Sequence, residues 1–338
     1  MTRPDLVCKL QELCTSHISS SFNLHSRAHK MQKVDLYVKR DDELSFSVSG
    51  SKLRKYASLL PILKKKNATV ALVGSPYSNH ILSLVQLLKQ EGLSYQLFLE
   101  KPKTGPPQGN FFFLSLLLSP KDVIWVEKAP NSLTESWTKA QEEILQNRFF
   151  WVPMGGCMKE GFFGALTLAL DILTNEKELE EDFSRIFVDA GTGLTAAALI
   201  LGLSYIQKKS QITVVLLAGT KESFFEQLLF FKSILEEALQ EHLPPINNYQ
   251  VTFPATAKSF GSCNKKVFET ITQVAREEGI FLDPLYTAKL YLTAKESIGE
   301  KSSSALWIHS GGALSLSGFQ EPLLKSSDFT RLFYNLLK

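Results

Sequence analysis

The residues able to do chemistry gather in a few short loops. Lys52 stands in Ser49-Gly50-Ser51-Lys52-Leu53-Arg54-Lys55, between the extended run Leu36 to Asp42 and the helix-like run Tyr56 to Leu60. Where a loop enters a helix, terminal amides and nearby cations depress a lysine's pKa, and a neutral amine attacks an aldehyde. Lys52 is therefore a candidate Schiff-base lysine, against the ordinary alternative of a solvated surface lysine. Gly191-Thr192-Gly193-Leu194-Thr195 opens a helix directly after a strand. Its backbone amides can converge on an anion, and a helix N-terminus suits a phosphate monoester. The loop is neither GxGxxG nor a P-loop, because no lysine follows the glycines. A tight turn without a ligand is the competing reading. Ser78-Asn79-His80 can offer amides to a carboxylate or simply cap a helix. Gly311-Gly312, after Ser310, lets backbone approach a flat ligand or makes a turn.

The elements that must position these loops alternate between strand and helix. Strands are predicted at 69–74, 95–99, 123–126, 149–152, 185–189, 213–217, 249–253 and 305–309, from short β-rich apolar runs. Helices are predicted around 6–13, 81–90, 111–118, 133–145, 162–173, 196–206, 224–239, 267–278, 287–298 and 329–337. The segment 103–108 reads as a surface loop. His25 and His29, four apart, would share a helix face and read as surface residues rather than metal ligands. Alternating β and α elements imply an α/β fold of parallel sheets covered by helices on both faces. Ligands of such sheets bind at the carboxyl ends of strands, which is where every one of these loops falls. A Schiff-base lysine, a phosphate cup, an amide-rich loop and a Gly-Gly strand end together describe a site for pyridoxal 5′-phosphate (PLP). That cofactor supplies the electron sink, and the protein sets geometry and protonation.

Composition removes several other classes. The chain has 338 residues, 44% of them hydrophobic, which is enough for one or two domains with a large core. A net charge of +3 is too small to imply nucleic acid or an anionic membrane, and Lys64-Lys65-Lys66 reads as a solvated helix end. Cys8, Cys14, Cys157 and Cys263 form no CxxC pair and no zinc-ligand pattern, so no metal is expected. They read as reduced thiols of a cytoplasmic protein. No signal-like N-terminus is present, and the apolar run Phe111 to Leu118 falls far short of the ~20 residues of a membrane span.

Taken in order, the motifs resemble the D-cysteine desulfhydrase and 1-aminocyclopropane-1-carboxylate deaminase family, within the tryptophan-synthase-β-like PLP enzymes of fold type II. Tyr37-Val38-Lys39-Arg40-Asp41-Asp42 followed by Gly50-Ser51-Lys52-Leu53-Arg54-Lys55 resembles the family's lysine region. Ser78-Asn79-His80, Pro153-Met154-Gly155-Gly156 with Gly161 and Gly164, and Gly191-Thr192-Gly193 with Thr195 resemble its next three motifs. Asp283-Pro284-Leu285-Tyr286-Thr287-Ala288-Lys289 and Ile308-His309-Ser310-Gly311-Gly312 resemble the last two. The resemblance implies two parallel-sheet α/β domains with the cofactor between them, a larger one of residues 1–50 plus 165–338 and a smaller one of 51–164.

It also implies roles. Lys52 carries the cofactor and moves the α-proton, with Ser78 and Tyr286 beside the reacting substrate. Asn79 binds the ring hydroxyl, and Gly191, Thr192, Gly193, Leu194 and Thr195 bind the phosphate. Ser310 meets the pyridine nitrogen in place of a threonine. The substrate lies among Ser78, Asn79, His80, Tyr77 and Tyr286. Ser51, Tyr77 and Leu194 stand where the family has Asn, Gln and a second Gly, and Leu194 is expected to add a side chain at the cup. The family's Pro-Thr-Pro-Leu run is not recognisable here. The cyclopropane deaminases carry Glu where this chain has Thr287, which argues against ring opening.

The expected activity is α,β-elimination of D-cysteine to pyruvate, hydrogen sulfide and ammonia. A hydroxyl beside the ring nitrogen does not firmly protonate it, which favours loss of a β-leaving group. Other readings are deamination or racemisation of D-serine or 1-aminocyclopropane-1-carboxylate, a catalytically weak PLP-binding protein, and a nucleotide binder without the needed lysine. Partners reduce to a small amino-acid substrate and, by analogy with the fold, a second copy in a homodimer.

Overall fold

The computed structural model describes residues 3–45, 50–102, 105–127, 149–298 and 304–326. The helices expected at 133–145 and 329–337, together with Ser49, Lys103 and Thr104, lie outside the described residues.

Continuous apolar runs form the strands. β3 (Thr69–Gly74) is buried along almost its whole length, as a strand covered on both faces must be. It pairs in parallel with β4 (Tyr95–Glu100) and β6 (Phe149–Val152), and β4 pairs with β5 (Val123–Val126), giving a four-stranded sheet ordered β5-β4-β3-β6. The six-stranded sheet is ordered β1-β2-β10-β7-β8-β9. It comprises β1 (Ala28–Lys30), β2 (Tyr37–Lys39), β7 (Arg185–Ala190), β8 (Gln211–Leu216), β9 (Tyr249–Thr252) and β10 (Ala305–Ile308). Only β1 runs antiparallel there. This is the expected α/β architecture.

Helices cover both faces of the larger sheet. One face carries α1 (Pro4–His17), α5 (Lys159–Leu179), α6 (Leu194–Tyr205) and α7 (Lys221–Leu239) over Ile186, Val188 and Val214. The other carries α8 (Lys265–Glu278) and α9 (Thr287–Ile298) over Phe187 and Trp307. The smaller sheet packs on α2 (Lys52–Lys66), α3 (Asn79–Gln90) and α4 (Asn110–Leu117). A short α10 (Gln320–Ser326) closes the described chain.

Two expectations are corrected. His25 and His29 share no helix face: His29 lies in β1, whose pairing with β2 sets Ala28 opposite Lys39, and His25 sits in the preceding loop. Its Nδ1 meets Asp171 at 2.6 Å. The helix after the lysine loop begins at Lys52 itself, a full turn earlier than the apolar pattern indicates. It starts early because tertiary contacts bury Leu53, Arg54 and Lys55 along with the apolar residues. Gly164 allows α2 to lie against α5, since a Cβ there would stand 2.0 Å from the Arg54 carbonyl oxygen. All four cysteines are free. Among the described residues no helix is long and apolar enough to cross a membrane, and no cluster could hold a metal ion.

Candidate active site

The lysine loop is fixed from two sides. Gly50 has φ +51°, and a Cβ there would lie 2.2 Å from the Ser310 carbonyl oxygen. The Ser51 amide donates to that oxygen at 3.1 Å, so the loop is clasped backbone to backbone to the chain leaving β10. On the other side the Ser51 hydroxyl donates to Asp41 at 2.9 Å. Asp41 also accepts from Ser26 at 2.8 Å and from Arg54 at 2.8 and 2.6 Å. Arg54 continues to Asp171 at 2.6 Å, where Lys39 also binds. Burial works against the Asp41 carboxylate, but Arg54 and Lys39 outweigh it and hold the carboxyl at about 2. Ser51, in place of the family's Asn, is therefore a member of a satisfied buried network.

Lys52 emerges half-buried from this clasp. Burial pushes its amine below the ordinary lysine range, against the pull of the Asp189 and Asp283 carboxyls. Asp283 is fully buried and accepts from the amides of Leu285, Tyr286 and Thr287 at 2.9, 3.1 and 2.8 Å. It also takes the Thr287 hydroxyl at 2.8 Å. Thr287 is thus committed to its own helix start.

Asn79 Oδ1 accepts from Asn110 Nδ2 at 2.7 Å, which fixes the amide and leaves Nδ2 towards the Gly312 backbone. A Cβ on Gly312 would lie 3.1 Å from that nitrogen and 3.5 Å from the Asp283 carboxyl carbon. The Ser78 hydroxyl caps α3, accepting from the His80 and Ile81 amides at 3.2 and 3.4 Å. His80 is buried, with Nδ1 on the Tyr56 hydroxyl at 2.9 Å. Burial, then Lys55 and Lys52, push its pKa down to about 3, so the ring is neutral. Tyr77 is 44% exposed, its ring edge-on to Phe111, and so it lies at the surface rather than deep beside the lysine. Tyr286 packs its ring against Gly191, where a Cβ would stand 3.2 Å away.

At the cup, Gly193 has φ +86° and caps α6. The first amides of α6 have no intrahelical partner, as at any helix start. Thr192 and Thr195 are half-buried. Leu194 does not add a side chain to the cup: it is fully buried and points into the core around α5 and α6. Lys55, which the sequence reading passed over, is a buried cation close to the cup. Its Nζ donates to the Gly155 carbonyl at 3.2 Å, beside the Thr192 side chain that a Gly155 Cβ would meet at 2.4 Å. Burial lowers its pKa to about 8. The signal was its spacing from Lys52: three residues along a helix share a face.

Charge, glycine-lined backbone and depressed lysines all suit PLP. Glycine at 191 and 312 lets Tyr286 and the Asn79 and Asp283 side chains lie close against the backbone. Comparison with known proteins agrees. A model of the family described as pyridoxal-phosphate dependent enzyme matches residues 23–311. A putative 1-aminocyclopropane-1-carboxylate deaminase of Pyrococcus furiosus is 28% identical over 295 residues, covering 84% of this chain and 86% of that protein. A D-cysteine desulfhydrase of Serratia proteamaculans is 25% identical, covering 84% and 88%. Among solved structures, a homologue of 1-aminocyclopropane-1-carboxylate deaminase superposes with a TM-score of 0.82 over 96% of this chain and all of the other (100%), at 23% identity. The chain belongs to the pyridoxal-phosphate-dependent enzyme family.

Proposed function

We propose that the chain is a lyase that converts D-cysteine and one water to pyruvate, hydrogen sulfide and ammonia. Bound PLP supplies an aldehyde for amines and a ring that withdraws electrons. Lys52 is the residue that links to it and carries the proton to and from substrate Cα, a role that burial, by disfavouring the charged amine, supports. Both known bonds of the Ser78 hydroxyl are accepted ones, so its proton is free for a substrate carboxylate oxygen. Asn79 Nδ2, held by the Asn110 contact, serves the ring hydroxyl. Residues Gly191 to Thr195 serve the phosphate, with Lys55 as its counter-charge. Ser310 serves the ring nitrogen. Tyr286 and Tyr77 wall the substrate, and the neutral His80 supports the Ser78 turn from behind. The division into domains of 1–50 plus 165–338 and 51–164 belongs to the same reading.

One observation carries the choice of reaction. The deaminases have a glutamate at the position of Thr287, whereas here that hydroxyl is bound to Asp283. The similarity to a protein named D-cysteine desulfhydrase supports the same choice. The test is the visible spectrum of the PLP-supplied protein beside Lys52→Ala, followed by sulfide and pyruvate release from D-cysteine. L-cysteine, D-serine and 1-aminocyclopropane-1-carboxylate are run in parallel. A Schiff-base band lost in Lys52→Ala, with sulfide from D-cysteine, is the expected result. No band in the wild type overturns the site. A band with ammonia only from the cyclopropane substrate replaces elimination by ring opening, and a band without any turnover leaves a PLP-binding protein.

A further inference from the structure

We propose that Asp189, acting through Ser310, keeps the cofactor's ring nitrogen protonated. This rests on the placement of PLP above and revises its electronics. Asp189 lies at the end of β7 and Ser310 just beyond β10, and the two strands are parallel neighbours with Ala305 opposite Arg185 and Trp307 opposite Phe187. Their carboxyl ends therefore emerge side by side. Alternation along β7 puts Asp189 on the face of Phe187, the side of α9 and Asp283, while Ile186, Val188 and Ala190 pack on the opposite core.

Asp189 Oδ1 is buried and has no hydrogen-bond partner. A buried carboxyl oxygen left unsatisfied is costly, so it is expected to have a function. The groups near the carboxyl are Ser310 and Lys52, which favour its charged form, and Asp283, which opposes it.

A hydroxyl has one proton and two lone pairs. Once Ser310 gives its proton to Asp189, it can only accept from its other neighbour. A pyridine nitrogen meeting that oxygen must then be N–H⁺ to form a bond at all. Burial raises the Asp189 pKa, and a ring N–H⁺ reached through Ser310 would offset that cost to the carboxylate. The expectation of a weakly protonated ring, drawn from Ser310 alone, omitted this acid.

The experiment uses PLP labelled with ¹⁵N in the ring, bound to wild type, Asp189→Asn and Ser310→Ala. The nitrogen resonance is read alongside the Schiff-base band. A protonated shift in the wild type and a neutral shift in both variants is expected. Apo-protein should also prefer PLP over its 1-deaza analogue by about ten- to a hundredfold, the worth of a charged hydrogen bond, and Asp189→Asn should lose that preference. A Schiff-base band with a neutral wild-type nitrogen, or an unchanged shift in Asp189→Asn, overturns the inference alone. No band in the wild type overturns the PLP placement itself. If Asp189→Asn does not fold, the wild-type shift and Ser310→Ala decide.

Discussion

Replacing Asp41 by asparagine tests whether the buried charge network holds the lysine loop. Asp41 is 0% exposed and takes four hydrogen bonds, one each from Ser26 and Ser51 and two from Arg54. Its carboxyl falls from 3.8 to about 2, which corresponds to about 2 kcal/mol at ~1.4 kcal/mol per pH unit. Neutralising it also leaves Arg54 and Lys39 sharing Asp171 alone, and breaking a buried pair costs about 3–5 kcal/mol. A loss of about 3 kcal/mol at pH 7 is expected. A carboxyl with a depressed folded pKa stabilises above its ordinary value and loses that contribution as pH falls through the folded one. The gap between wild type and Asp41→Asn should therefore hold down to about pH 4 and shrink towards pH 2. Urea unfolding across that range measures it, with the Schiff-base band as a second readout of loop position. A loss under about 1 kcal/mol, or a gap that widens on acidification, would refute the reasoning.

Two further outcomes follow from the same structure. Leu194→Gly restores the residue usual in the family, yet should destabilise by about 3 kcal/mol or more, because it empties a buried leucine site and puts glycine in a helix. Thermal unfolding that drops by less than about 1 kcal/mol would mean that Leu194 is not packed as described. His80 is held neutral down to about 3 by burial. The unfolded chain binds that proton near 6.5 and the folded chain does not, so stability should fall as pH drops from about 6.5 towards 3. His80→Gln should flatten this slope in unfolding titrations, and an unchanged slope would show that another group sets it.

Much of the site was legible because its parts are punctuation. Lys52, Ser78 to His80, Gly191 to Thr195 and Ser310 all mark strand ends, where glycine and small polar residues interrupt apolar runs. β3, β5 and β6 were legible to the residue for the same reason. What stayed hidden depends on distant partners. β1 is three residues long and exists only through β2. The direction of Leu194 is set by α5, some thirty residues earlier in the chain. Lys55 and Asp189 looked like an ordinary helix lysine and strand terminus, since burial, not spacing, gives each its character. Ser51 differed from the family pattern by type, and its compensating partner, Asp41, lies ten residues away.

The contact of Gly50 with Ser310 and Gly311 has a consequence for how this enzyme can change. Lys52 and Ser310 are registered to each other by main chain, through the Ser51 amide and a glycine-to-glycine approach in which a Gly311 Cβ would meet Gly50 Cα at 3.0 Å. No side chain intervenes, and one added at Gly50 or Gly311 would press on the facing backbone rather than finely adjust that spacing. Tyr77 and Tyr286 belong to separate turns outside the clasp. With Tyr77 and Tyr286 as the proposed substrate walls, those walls could be rewritten by selection or design while the main-chain clasp between Lys52 and Ser310 is kept.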